Sequence, residues 1–291
     1  MIQQKSMSMI SLAIAGLTAS FTGLVNAADT GVPVVYVVPM SGQMGTDIHP
    51  SIYDDVIEDI LKVQPDVIVY QLKSADIDTN FYLAGNDDRR EFGMAKIGEY
   101  RELVRALHQK LDARQVMWVE DSVGLGSLLA LSWPEMYMSE GARLWGLARV
   151  SQMAAGWSDP DVASKMLNAW VGMGNGFLQI GGYPLEIGWA MMRPEYALSA
   201  SFKGRKVTWT NDTGGQWVVD SNKEGVANFN ASLAEDMGLS QGTVANLDDL
   251  MFLLGYREYD EVESGKDMVK KYVEDWRRTF ERCKSWYADA Q

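Results

Sequence analysis

Cysteine and histidine are nearly absent from this sequence. Cys283 is the single cysteine of 291 residues, so no intrachain disulfide can form. A chain of this length can bury enough apolar surface to fold without one. His49 and His108 are the two histidines. His49 precedes Pro50 in a loop, and His108 sits in the charged helical stretch "YRELVRALHQKLDAR", where it reads as a solvated helix residue. A Ser-His-Asp triad or a His-based metal centre has almost no raw material here, so no cofactor and no metal are expected. Basic charge is also scarce: 26 Lys and Arg stand against 39 Asp and Glu, a formal net charge of −13. No basic stripe relieves that balance, and a phosphate backbone would be repelled, so nucleic acid is excluded as a partner. Past the N-terminus the chain lacks any apolar run of about 18 residues, the length that would span a membrane.

What is present begins with the opening segment, "MIQQKSMSMISLAIAGLTASFTGLVNA". Lys5 is its only charge, an apolar run follows from Met9 to about Val25, and Val25-Asn26-Ala27 fits the small-residue cleavage rule. Residues 1–27 are expected to be a signal peptide, with export to a periplasmic or extracellular location and a mature chain starting at Ala28. A retained anchor is the competing reading.

Strand and helix patterns then alternate. "VPVVYVVPM" (32–40), "PDVIVYQL" (65–72) and "QVMWVE" (115–120) are dense in β-branched residues and read as buried strands. "IYDDVIEDILKVQ" (52–64) and "MAKIGEYRELVRALHQKL" (94–111) have apolar residues at helical spacing. Such alternation argues an α/β fold, with a parallel sheet of repeated strand-helix units flanked by helices. Residues 76–93 are polar and read as a long loop of lid type. "SLLALSWPEMYMSEGARLWGL" gives a short helix, a strand-like "EMYM" and a glycine turn. Residues 160–182 read as a helix that Gly172, Gly174 and Gly176 weaken in the middle. Residues 205–221 read as an added β-hairpin around "NDTGG". "NASLAEDMGL" and residues 246–256 are short helices. The expected division is 28–258 for the α/β domain and 259–291 for a C-terminal amphipathic helix. In that tail Val269, Val273, Trp276, Phe280, Cys283 and Tyr287 form one apolar seam. The seam suits either a helix docked on its own domain or a contact with a neighbouring subunit.

The order of elements, with "VVYVVPMSGQM", "DVIVYQL", "VMWVEDSVGLGSLLALSWPEMYMSEGARLWGL", "ASKMLNAW" and "SLAEDMGLSQGTVANLDDLMFLLGY", resembles the ClpP/crotonase superfamily. Within it, the chain is most similar to the N-terminal Ser–Lys peptidase domain of NfeD-type membrane-associated serine proteases, relatives of signal peptide peptidase A. The likeness spans about residues 33–256, judged from motif order. It implies a nucleophilic serine at the start of the helix after the third strand, an oxyanion hole from the following N–H, and a lysine base from a later helix. It also implies a homo-oligomer built through helices near the site and a membrane-protein partner.

The family pattern places a serine two residues before a glycine, ahead of a small apolar triplet. "LAL" at 129–131 fixes the register, so Gly126 falls on the family glycine and Gly124 on the nucleophile. The serine is missing. Leu125 would supply the N–H of the hole. Relatives follow the second strand with Pro-Gly-Gly; here Ala75, Asp76 and Ile77 take those places, and a carboxylate near a developing oxyanion opposes it. Lys165 matches the base lysine, though a plain surface lysine is the commoner fate of that residue type. Ser122 and Ser127 are the serines nearest the empty position. Ser127 is displaced from it by about 4.5 Å along a helix axis, and Ser122 suits a helix cap. Three functions stay open: a catalytically degenerate domain that binds a peptide or protein ligand or acts as scaffold, an active endopeptidase using Ser122 or Ser127 with Lys165, and a crotonase-type enzyme on a CoA thioester. Export argues against the third, since CoA is cytoplasmic.

Overall fold

A computed structural model describes residues 31–74, 96–148, 150, 157–204 and 206–289. The signal segment, the polar loop at 76–93 and Asp76 lie outside these residues. No helix among the described residues is long and apolar enough to cross a membrane.

The first half follows the expected alternation. β1 (Val34–Ser41), α1 (Ile52–Val63), β2 (Val67–Lys73), α2 (Ile97–Lys110) and β3 (Arg114–Val123) are followed by α3 (Leu125–Ala130) and β4 (Met136–Ser139). β4, β3, β2 and β1 lie side by side, every neighbouring pair parallel. Both faces of this sheet are buried, as a parallel sheet requires. Tyr36, Val38 and Met40 of β1 join the large core on one face, with Ile68, Tyr70 and Leu72 of β2. Their alternates Val35, Val37, Val67 and Val69 join a smaller core on the other. The period of two thus divides a continuous apolar run between two cores.

β5 (Arg143–Trp145) was not expected. It pairs in parallel with the end of β3, beyond the point where β3 leaves β4, and antiparallel with β9 (Asn228–Asn230). α4 runs unbroken from Pro160 to Gly181 despite its glycines. Asp159 caps its start by accepting from the N–H groups of Asp161 and Val162, and Pro160 takes the first position, where no N–H is needed. Gly174 and Gly181 belong to its buried face. A Cβ on Gly181 would lie 2.2 Å from the Leu131 carbonyl oxygen. Close approach of two backbones, not a break, accounts for that glycine. α5 (Leu185–Met192) follows directly.

The expected hairpin at 205–221 is corrected. β7 (Lys206–Thr210) and β8 (Trp217–Asp220) do not pair with each other; each pairs antiparallel with β6 (Leu198–Lys203), which lies between them. The tight turn is at Gly204, with φ +62°, between β6 and β7. The short strand "LSASFK" supplies the centre that the two flanking runs need.

α6 (Ala231–Asp236), β10 (Thr243–Val244) and α7 (Leu247–Leu253) complete the α/β part. α7 covers the smaller core through Leu250 and Met251. β11 (Asp260–Val262) then pairs parallel with β1 at the sheet edge, and α8 (Ser264–Asp289) leaves from it. Val32–Gln291 form one compact unit, so the tail is not separate. Val269 is buried in the large core, and Tyr272 and Val273 pack against it. Ser264 Oγ donates to Asp59 on α1, which also accepts from the Tyr36 hydroxyl at 2.8 Å. The first half of the seam is therefore docked on its own domain.

Candidate active site

The carboxyl ends of β1, β2 and β3 lie along one edge of the sheet, the edge where open α/β folds place their ligands. At this edge β3 turns sharply into α3 through Gly124, whose φ and ψ are +71° and −125°. This strand-to-helix turn is the strained conformation in which hydrolases hold a nucleophile. An L-residue there is strained, whereas glycine is not. In this chain glycine occupies the turn, so no side chain stands on it.

The surroundings of Gly124 are filled. Its N–H donates to the Trp145 carbonyl at 2.9 Å, and its own carbonyl accepts from Ser127 and Leu128. Leu147 covers it: a Cβ on Gly124 would meet Leu147 Cδ1 at 3.2 Å. Leu147 is held in turn by an N–H bond of 2.7 Å to the Met191 carbonyl. Gly146 beside it has no room for a Cβ, which would lie 2.3 Å from the same oxygen. Leu125 is buried at the first position of α3. Its N–H and that of Gly126 stand in the first turn of α3, where a helix supplies no acceptor.

The nearby serines are buried, and two of them bond each other. Ser122 and Ser127 are both inaccessible, with their hydroxyls 2.9 Å apart. Ser122 Oγ also lies 3.2 Å from the Arg143 carbonyl. Ser122 thus ties β3 to β5 and to α3 and does not cap the helix with its side chain. Ser74, which sequence reasoning missed, ends β2 beside them. It is 8% exposed, its N–H donates to the Asp121 carbonyl, and its hydroxyl has no partner among the described residues. Ser74 presses on Gly126, where a Cβ would lie 2.0 Å from Ser74 Oγ. That crowding is the local reason for glycine at 126. Its only signal in the sequence is a small residue closing the second strand.

Lys165 is exposed on α4. It lies nine residues before Gly174, where α4 meets Leu128 of α3, or about 13 Å along the axis. Its ammonium is in water, not in the apolar pocket that a Ser–Lys dyad uses. Among the described residues the side chain that a Cβ on Gly124 would meet is the apolar Leu147. The charged groups at this edge pair with one another. Asp121 accepts three bonds from the Arg143 side chain, two from Nε at 2.9 Å and 3.1 Å and one from Nη2 at 2.6 Å, and one from its N–H. Burial pushes the Asp121 carboxyl up, but the hydrogen bonds and charge of Arg143 outweigh it and hold it below the usual range. The Arg143 guanidinium also sits over the exposed Trp145 ring, 5.1 Å from its centre.

The histidines lie in structural roles. His108 is not solvated as expected; it is half-buried, donates from Nε2 to the Ser132 carbonyl at 3.0 Å and faces Trp133. Burial lowers its pKa. His49 bonds Ser51 in the loop after β1. No group of three or more His, Cys, Asp or Glu that could hold a metal occurs among the described residues.

No protein-family model matches the sequence, and no curated protein does. Solved structures are similar to it. The 1510-N membrane protease specific for a stomatin homolog from Pyrococcus horikoshii has a TM-score of 0.42 at 14% identity, covering 77% of this chain and 79% of that one. The same type of protease, as a lysine-to-alanine mutant with a substrate peptide, has a TM-score of 0.45 at 13% identity, covering 76% and 80%. DspI of Pseudomonas aeruginosa has a TM-score of 0.34 at 14% identity, covering 79% and 73%. The α/β architecture with a parallel sheet of strand-helix units, read from the sequence, is present in the structure itself.

Proposed function

We propose that this protein is an exported ClpP-like domain that has lost peptidase chemistry and works as a peptide-binding or scaffold protein. One observation carries the reading: the nucleophile turn persists at Gly124 with no side chain on it, under a Leu147 fixed in place. Acyl transfer needs a hydroxyl or thiol at that point and a base within hydrogen-bond reach. Gly124 carries no side chain to supply the first, and Lys165 is exposed on α4. Ser122 and Ser127 support the same reading, because each hydroxyl is buried and bonded to the other.

A peptide ligand is supported by β8. Among the described residues β8 pairs with β6 alone, and Trp217 and Val218 on it are exposed. An open, apolar edge strand can take up an extended segment through main-chain hydrogen bonds. The experiment is treatment of the purified protein with a fluorophosphonate probe, followed by intact-mass measurement. The expected mass is that of the unmodified chain. An adduct on Ser122 or Ser127 that Lys165→Ala abolishes establishes the shifted dyad instead.

A further inference from the structure

The tip of the hairpin between β6 and β7 breaks a rule of strand pairing. Lys203 and Lys206 stand directly opposite each other across it. Side chains so placed share a face about 5 Å apart, and like charges there repel. Both lysines are exposed, and among the described residues neither has a hydrogen-bond or ion-pair partner. Residues 196–211 hold three basic side chains and no acidic one, so the local sequence offers no counter-charge. The turn also projects clear of the fold: a Cβ on Gly204 would meet nothing within 4 Å. A repulsion left uncompensated by the described part of the chain is one that an anionic partner would relieve.

β8, the edge already proposed to take a peptide, runs beside this tip. Trp217 opposes Ala200 on β6, three residues before Lys203, or about 10 Å along the strand. Val218 opposes Ser199, which has the parity of Lys203, so Val218 and the two lysines belong to one face of the small sheet. Open edges are commonly guarded by lysines on the edge strand itself. β8 has none: it reads "WVVD", with Trp217 and Val218 exposed. The lysines stand instead on β6 and β7, past the end of β8, where they leave the edge open and meet the side chains of an added strand. Resting on the peptide reading of β8, we infer that the segment it takes up is acidic: apolar where it passes Trp217 and Val218, with a carboxylate about three residues on, at the level of Lys203. An added strand lies two strand spacings from β6, about 10 Å, which a lysine and a glutamate side chain span together. Lys206 stands on the far side of Lys203 and biases its ammonium toward β8.

The test pans full-length protein against phage displaying random twelve-residue peptides, and the enriched peptides are synthesised with a rhodamine label. The expected peptides slow hydrogen exchange at residues 217–220 and hold Asp or Glu about three residues from an apolar position. Lys203→Gln is expected to weaken their binding about twofold to fivefold, as loss of one exposed ion pair does, with the difference closing as salt is raised. Lys206→Glu is expected to weaken binding too, yet to raise the melting temperature of the free protein, because an opposite-charge pair replaces a like one. A lysine pair with a structural role alone would not move the two in opposite directions. Peptides that protect β8 but lack acidic residues, and that bind both variants as they bind the wild type, overturn the acidic preference and leave the β8 reading standing. A library that yields no peptide protecting residues 217–220 overturns both. Capture of phosphatidylglycerol vesicles through Lys203, with no peptide bound, assigns the tip to a lipid surface and likewise overturns the proposal.

Discussion

At the scale of single residues, three glycines define the candidate site, and each answers to a different constraint. Gly124 is required by backbone conformation, Gly126 by the Ser74 side chain, and Gly146 by two carbonyl oxygens. Gly126→Ala is expected to cost about 1–3 kcal/mol by overpacking. Ser74→Gly in the same chain should recover most of that, as read by urea unfolding of the four-member cycle. Ser74→Ala alone should be close to neutral, because the hydroxyl it removes has no partner among the described residues. Gly124→Ser should fold with a penalty of about 1–3 kcal/mol for a side chain at positive φ. The flexible end of Leu147 is what stands nearest the new Cβ, so the variant is accommodated rather than excluded. Glycine at 124, where the resemblance implies a serine, is legible by register with "LAL". The sequence cannot show Leu147 over the gap or Ser74 against Gly126, because both contacts join segments far apart in the chain.

Among elements, the most testable junction is the root of α8. A Cβ on Gly265 would lie 2.5 Å from the Tyr36 ring and 2.9 Å from the Val37 carbonyl oxygen. Gly265→Ala should therefore loosen α8 and speed hydrogen exchange of its amides before those of the sheet. Asp59 sets the pH response of the same junction. The Ser264 hydrogen bond outweighs burial, the next largest effect, and with the Tyr36 hydrogen bond and the Lys62 charge holds its carboxyl below the usual range. With the folded pKa depressed, its contribution is full above about pH 4, the unfolded value, and is lost as pH falls through the folded value. The stability gap between wild type and Asp59→Asn should shrink over that acidic window in denaturant titrations. These contacts also show where pattern reading ends. β1, β2, β3, α1 and α2 were legible because each carries a clear period and is bounded by turn residues. β5 has three residues, too few for a period to register. β6 alternates serine with apolar residues, and its role as the centre of a sheet depends on partners on both sides. The glycines of α4 look like weak points in the sequence, but a Cβ at Gly174 would meet Met192 and Leu128, one at Gly176 the Arg101 side chain and one at Gly181 the Leu131 carbonyl, all from segments distant in the chain.

For the whole molecule, the proposed function rests on export, on the α/β fold and on silence at the Gly124 turn. Export rests on Val25-Asn26-Ala27 and predicts that protein from its native host begins at Ala28. Intact-mass measurement checks this, and a chain that retains Met1 contradicts it. The fold was legible at the level of class and order, since alternation of strand and helix imposes a parallel sheet. The tail seam looks continuous in sequence, but only its first part, at Val269 and Val273, packs on the large core. Silence is the central claim, and fluorophosphonate labelling tests it most directly. The account predicts no adduct on the wild-type protein, and none on Gly124→Ser, where a hydroxyl returns but Lys165 stays in solvent. A covalent adduct on wild-type Ser74, Ser122 or Ser127 that disappears in Lys165→Ala would contradict it.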